Sequence, residues 1–210
     1  MKNSSFLITL LALALVFVTY KWVDSTSVPS VTTVEASSTT LEDIMTRTSV
    51  RSYSDRNVDS LTVDTLLRAA MAAPTAGNKQ PWRFVVVNDT ASLNYIASNF
   101  RSMKMAAEAK VAVVMCGDVT ATFEGEGREY WVQDVSAATE NLLLAAHTLG
   151  LGAVWCGIYP ISERVSEFSA LLKLPENILP MACVCIGYPA AESTPKDKWE
   201  PEYIRYNTWQ

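Results

Sequence analysis

The chain has 210 residues, 49% of them apolar, and a formal net charge of −5. That length and apolar share suit one domain with a substantial core plus a tail, and they exclude disorder throughout. Two of the lysines, Lys2 and Lys21, stand in the leader, so the remainder carries −7. A body that acidic does not track nucleic acid by its overall field, and any anion it binds must be met by a local basic cluster.

Residues 1–23 open with Lys2, run through the apolar-leaning stretch Phe6 to Tyr20, and close on Lys21, Trp22 and Val23. They read as a signal or anchor segment, which predicts an exported or membrane-anchored protein; failing that, the chain is cytoplasmic. Residues 24–39 are rich in Ser, Thr and Val, and they read as a linker to a domain over 40–210. Thr40-Leu41-Glu42-Asp43 looks like a capping box, and Leu41, Ile44 and Met45 supply an apolar stripe.

Arg47-Thr48-Ser49-Val50-Arg51-Ser52-Tyr53 follows, and in an extended segment Arg47, Ser49 and Arg51 share one face. Such a face suits a phosphate or carboxylate, because guanidinium forks and hydroxyls both donate to oxygen; the plain alternative is a solvated strand with two ordinary arginines. Val63, Leu66, Leu67 and Ala70 predict a second helix, which stops at Ala72-Ala73-Pro74-Thr75-Ala76-Gly77-Asn78-Lys79-Gln80-Pro81-Trp82. Two prolines, one glycine and the amides of Asn78 and Gln80 make this junction either a ligand loop or a connector before the strand-like run Phe84 to Val87.

Val111 to Cys116 predicts a buried strand, and Val135, Thr139, Leu142, Ala146 and Leu149 predict a long helix closed by Gly150. Ser162 is placed to cap a helix running through Leu172, and Met181 to Ile186 predicts another strand. Cys116, Cys156, Cys183 and Cys185 stand in apolar runs and read as small buried hydrophobes. His147 is the only histidine, so no multi-histidine metal site is possible and a histidine triad is disfavoured.

Taken together, Arg-x-Ser-x-Arg, a helix ending in Ala-Ala-Pro, and Thr-x-Gly-Asn-x-Gln-Pro-Trp entering a Val-rich strand resemble the nitroreductase family of flavin-dependent oxidoreductases. The resemblance extends through Gly150 to Pro160 and the carboxyl end, covering about residues 41–209. It implies an α+β fold with a central, mostly antiparallel sheet flanked by helices, in an intertwined homodimer that binds FMN at its interface. By position in the motifs, Arg47 and Ser49, with Thr48 beside them and Lys196 and Lys198 from the carboxyl end, hold the phosphate. Arg51 lies near the pyrimidine edge of the ring, and Pro74, Thr75, Ala76, Asn78 and Gln80 flank the ring or ribityl chain. Trp155, Cys156 and Gly157 form the segment whose backbone approaches the flavin N5, and no protein side chain is assigned a catalytic role. Cys156 departs from the acidic residue of many relatives, and Lys104 is a weaker candidate contact.

The implied activity carries two electrons from NAD(P)H through FMN to a nitroaromatic, quinone or similar electron-poor acceptor. The leader keeps open an alternative, a membrane-anchored flavin relay without its own nicotinamide turnover. Reductive dehalogenation is a further alternative within the family. Its lid residues are not legible among Lys104, Glu124, Glu126, Glu129 and Tyr130.

Overall fold

A computed structural model describes residues 39–209. The leader and nearly all of the expected linker lie outside the described residues, and so does the anchor expectation. Among the described residues, no helix is long and apolar enough to cross a membrane.

The first helix, α1 (Thr40–Thr46), is capped by Thr39 rather than by Thr40. The Thr39 hydroxyl accepts the Glu42 N–H at 3.3 Å, and adjacent threonines offer the same chemistry, so sequence could not choose between them. Its apolar stripe is a larger correction: Leu41, Ile44 and Met45 face solvent, while Asp43 is buried. Thr148 Oγ1 donates to Asp43 Oδ2 at 2.8 Å, so the helix docks on its own chain through a polar side.

Helix α2 (Ser60–Met71) begins at Asp59, whose carboxylate accepts the Thr62 N–H and hydroxyl, each at 2.8 Å. Val63, Leu66 and Ala70 are buried at helical spacing, as the sequence predicts. After the junction come β1 (Trp82–Val87), α3 (Thr90–Asn99), a 3-10 stretch (Arg101–Ala107) and β2 (Val111–Asp118). Then follow α4 (Tyr130–Thr148), β3 (Gly152–Gly157), α5 (Ser162–Leu172) and β4 (Ile178–Gly187).

The four strands form one sheet in the order β1-β2-β4-β3, antiparallel at every step. Alternation along β2 sorts its side chains: Val111, Val113 and Met115 join one core with Val63, Leu66, Trp131 and Leu142 from α2 and α4. Ala112, Val114 and Cys116 join the other with Ile96 of α3, Phe168 of α5, and Phe100 and Met103. The result is a three-layer α/β/α arrangement, and the fold class expected from the resemblance is the one observed. All four cysteines are free, buried and on the second face.

Two helix ends show where local chemistry decides. Helix α4 stops at Leu149 because Gly150 takes φ +71° and lets the Leu151 N–H reach back to the Ala146 carbonyl at 2.8 Å. Helix α5 is preceded by Ile161, with no side-chain cap, so Ser162 is its first helical residue and not its cap.

Candidate functional site

Along the free side of β3 lies the segment carrying Arg47, Ser49 and Arg51. Ser49 bridges Ala153 in parallel, and the Val50 N–H donates to the Ala153 carbonyl at 3.0 Å. Farther along, Ser54 N–H reaches Tyr188 O and Ala190 N–H reaches Ser52 O, which ties the segment to the start of the carboxyl-terminal arm as well as to β3. Gly152 permits this close approach, because a Cβ there would come within 2.6 Å of Val50 Cγ1. The extended backbone then presents the basic side chains to one pocket of about 290 Å³, lined by Arg47, Thr48, Ser49, Arg51, Lys196 and Lys198 together with Ser193 and Thr194.

Within that pocket the donors are partly pre-arranged. Arg47 Nε pairs with Glu140 Oε1 at 3.1 Å, a bond that orients the guanidinium from α4. Thr48 Oγ1 donates to Ser193 Oγ at 2.7 Å and so ties the arm to the segment. Among the described residues no ion pair engages Arg51, Lys196 or Lys198. Four cations meeting one carboxylate make the pocket a strong anion attractor within an acidic chain.

Arg51 also lines a second cavity of about 410 Å³, shared with Arg101, Ser102, Met105, Val154, Trp155, Cys156, Gly157 and Arg164. Arg51 is the residue that the two cavities share, and both lie along the β3 edge. At Gly157 a Cβ would meet nothing within 4 Å, so the wall there is bare backbone bordering open space. Arg164 Nη1 donates to the Gly157 carbonyl at 2.8 Å. The Cys156 thiol donates to the Ser102 carbonyl at 3.6 Å, and contact with the Cys185 thiol, then burial, pushes it well above the ordinary thiol range. A thiol held in that state is a poor nucleophile. Lys104 is exposed in the 3-10 stretch and is absent from the lining of this cavity, whereas its neighbours Arg101, Ser102 and Met105 contribute to it.

The junction lies elsewhere. It enters β1, the opposite edge of the sheet, and Trp82 pairs with Gly117 at the end of β2 far from Val111. The Ser49 bridge lies beside Ala153, which shares a row with Ile186 and Val111, one residue beyond the Ala112–Val87 pair. Three strand spacings across and the six residues from Val111 to Gly117 along β2 separate the two motifs by about 20 Å or more. Hence Pro74, Thr75, Ala76, Asn78 and Gln80 do not meet Arg47, Ser49 and Arg51 within one chain, because the strand order puts the motifs at diagonal corners.

Locally the junction is a conformational device. Gly77, Asn78 and Gln80 have φ of +56°, +55° and +51°, the first two within a 3-10 turn at Ala76–Asn78 and the third just after it. Non-glycine residues in this region are costly, and Asn is among the most tolerant. Several bonds hold the turn: Thr75 Oγ1 accepts the Gln80 N–H at 3.2 Å, and Gln80 Nε2 donates to Asn78 Oδ1 at 3.0 Å. The Ala76 N–H donates to Oδ1 of buried Asp134 at 2.8 Å. Phe123 covers Gly77, where a Cβ would approach its ring to 2.7 Å, and Lys79 Nζ sits 5.1 Å above the same ring.

Sequence reading missed Ser193, Thr194, Arg101, Ser102, Arg164 and Asp134. The first two stand just ahead of Lys196 and could have been included by proximity. A buried carboxylate one residue before Val135 on a predicted helix was also a readable anomaly, since unpaired burial is expensive. Arg101, Ser102 and Arg164 reach the second cavity only through tertiary packing, and nothing in their spacing announces it.

Fold and cavities together define an α+β protein with a cation-lined pocket along one sheet edge. The Nitroreductase family profile matches residues 44–118 and 93–188. A protein from Archaeoglobus fulgidus, provisionally named NADH dehydrogenase/NAD(P)H nitroreductase, is 42% identical over 172 residues, covering 80% of this chain and 98% of that protein. A Parabacteroides distasonis crystal structure with the same provisional name superposes with a TM-score of 0.78 at 40% identity, covering 82% of this chain and all of that one. A provisionally named nitroreductase from Desulfovibrio desulfuricans, solved with FMN, superposes at 0.69 with 30% identity over 83% of this chain and 99% of that one. The chain belongs to the nitroreductase family.

Proposed function

We propose that the chain is an FMN-dependent NAD(P)H oxidoreductase that reduces nitroaromatics, quinones or similar electron-poor acceptors. The observation that carries this reading is a pair of cavities that share Arg51, one lined by cations and the other walled by bare backbone at Gly157. Its donor set fits FMN: Arg47, Ser49, Lys196 and Lys198 suit a phosphate dianion, and the open face of Gly157 suits a flat ring. When bound, FMN supplies the two-electron chemistry. Arg51, shared by the two cavities, contributes a fixed cation where negative charge develops on reduction.

The junction enters this site from a second copy of the chain. Asn78 and Gln80 are exposed at the edge of the sheet opposite the cationic pocket. The carboxyl-terminal arm supports the same reading, for Trp199, Tyr203, Tyr206 and Trp209 are all more than two-thirds exposed. So many bare aromatic side chains on one arm, along with Leu41, Ile44 and Met45 of α1, fit a homodimer that covers them. A relay without nicotinamide turnover is not favoured, since its support came from the leader and the similar proteins carry the names of NAD(P)H enzymes.

Purified full-length protein mixed with FMN is expected to give a bound flavin spectrum, and anaerobic NADH or NADPH is expected to bleach it. Addition of a nitroaromatic or a quinone then restores the colour. Failure to bind FMN overturns the proposal, and binding without bleaching reinstates the relay.

A further inference from the structure

Arg164 occupies a position that local electrostatics disfavours. It is the third residue of α5, in the first turn, where the helix dipole repels cations. Among the described residues no carboxylate pairs with it. Its guanidinium lines the Gly157 cavity and donates to the Gly157 carbonyl at 2.8 Å. On the other side of the same peptide unit, the Ile158 N–H donates to the Met181 carbonyl at 3.0 Å, so both polar groups of that peptide are fixed. Arg51 and Arg101 line the same cavity, and among the described residues no ion pair engages either of them. Three unneutralised guanidinium groups thus surround a wall that would otherwise offer a bare carbonyl oxygen.

Resting on the flavin reading above, we propose that Arg164 is a positioning residue for the ring cavity beside Gly157. It occupies the Gly157 carbonyl, so that this wall offers no free acceptor, and adds a cation that favours reduced over oxidised flavin. The site therefore binds the two redox forms with different affinities, and Arg164 sets part of that difference. The phosphate end is untouched, because Arg47, Ser49, Lys196 and Lys198 lie in the other cavity. A neutral side chain at 164 is expected to change the reduced-state affinity more than the oxidised-state affinity.

The test compares unmodified protein with R164Q, which keeps a donor for the carbonyl but not the charge, and with R164K, which keeps the charge. Each is titrated with oxidised FMN, and its two-electron midpoint potential is measured by spectroelectrochemistry. R164Q is expected to bind oxidised FMN within threefold of the unmodified protein and to lose about tenfold in relative affinity for reduced FMN, which is a midpoint about 30 mV more negative. R164K is expected to keep the unmodified potential. An unchanged potential in flavin-loaded R164Q, or equal loss of both redox forms in both variants, overturns the role given to Arg164. Failure of the unmodified protein to bind FMN strikes the flavin reading itself, a different result.

Discussion

The two motifs that stand out in the sequence are built on opposite physical principles. At the β3 edge, Arg47, Arg51, Lys196 and Lys198 gather charge on an ordinary extended backbone. At the β1 edge, Gly77, Asn78 and Gln80 gather unusual backbone on a nearly uncharged turn. Charge acts over distance and tolerates small shifts, whereas a left-handed turn works only if its anchors hold it. The two edges should therefore fail in different ways when altered.

The largest effect is expected from deleting residues 191–210. This removes Lys196 and Lys198 from the charged edge and every exposed aromatic residue of the arm. In the proposed dimer it should yield monomers by sedimentation and abolish FMN retention on gel filtration. Persistence of a flavin-loaded dimer would separate the arm from both jobs.

Next in size, Arg47→Ala should weaken FMN binding by about 1.5–3 kcal/mol, typical for a charge-assisted contact, while Tm of the flavin-free protein moves little. At the other edge the pattern should invert. Gly77→Val forces a β-branched residue into φ +56° and into the Phe123 ring, and should cost about 1–3 kcal/mol of stability by urea unfolding. Asp134→Ala should act in the same direction and at about 1–3 kcal/mol, because the Ala76 N–H loses its buried acceptor. If Arg47→Ala proved as destabilising to the flavin-free fold as Gly77→Val, the contrast between the edges would collapse.

The smallest effect concerns acid. Asp59 and Asp89 accept the N–H groups of Thr62 and Ser92, and these bonds hold both carboxyls below their ordinary range. A carboxyl depressed on folding stabilises the native state above its unfolded pKa of about 4, and that contribution is lost as pH falls through the folded value. Tm should therefore decline gently below about pH 4, and Asp59→Asn with Asp89→Asn should flatten part of the decline. Both side chains are fully exposed, so the change is small.

Much of the fold was legible because burial imposes period. The runs around Val111–Cys116 and Met181–Ile186 were predicted as strands, and β2 and β4 contain them. The stripe Val135, Thr139, Leu142, Ala146 lies on the buried face of α4. Periodicity says that a face is apolar but not what covers it, which is why Leu41, Ile44 and Met45 read as core and proved exposed. Local motifs likewise marked the charged segment and the junction without revealing that the strand order parts them. Arg164 illustrates the remaining gap, since its importance comes from one hydrogen bond formed by a turn that brings α5 back against the end of β3.

The free thiols have a practical consequence. Cys116, Cys156, Cys183 and Cys185 are the whole cysteine complement of the chain, and all are buried on the same side of the sheet. Burial pushes the Cys116 thiol up to about 12, so little thiolate exists near neutrality. A thiol-reactive dye should thus label Cys116, Cys183 and Cys185 only as fast as the layer of α3 and α5 lifts away, whereas Cys156 also lines the cavity beside Gly157. The protein carries its own clock for that opening, and the rate at which it slows on ligand addition would report how far binding at the β3 edge stiffens the opposite layer.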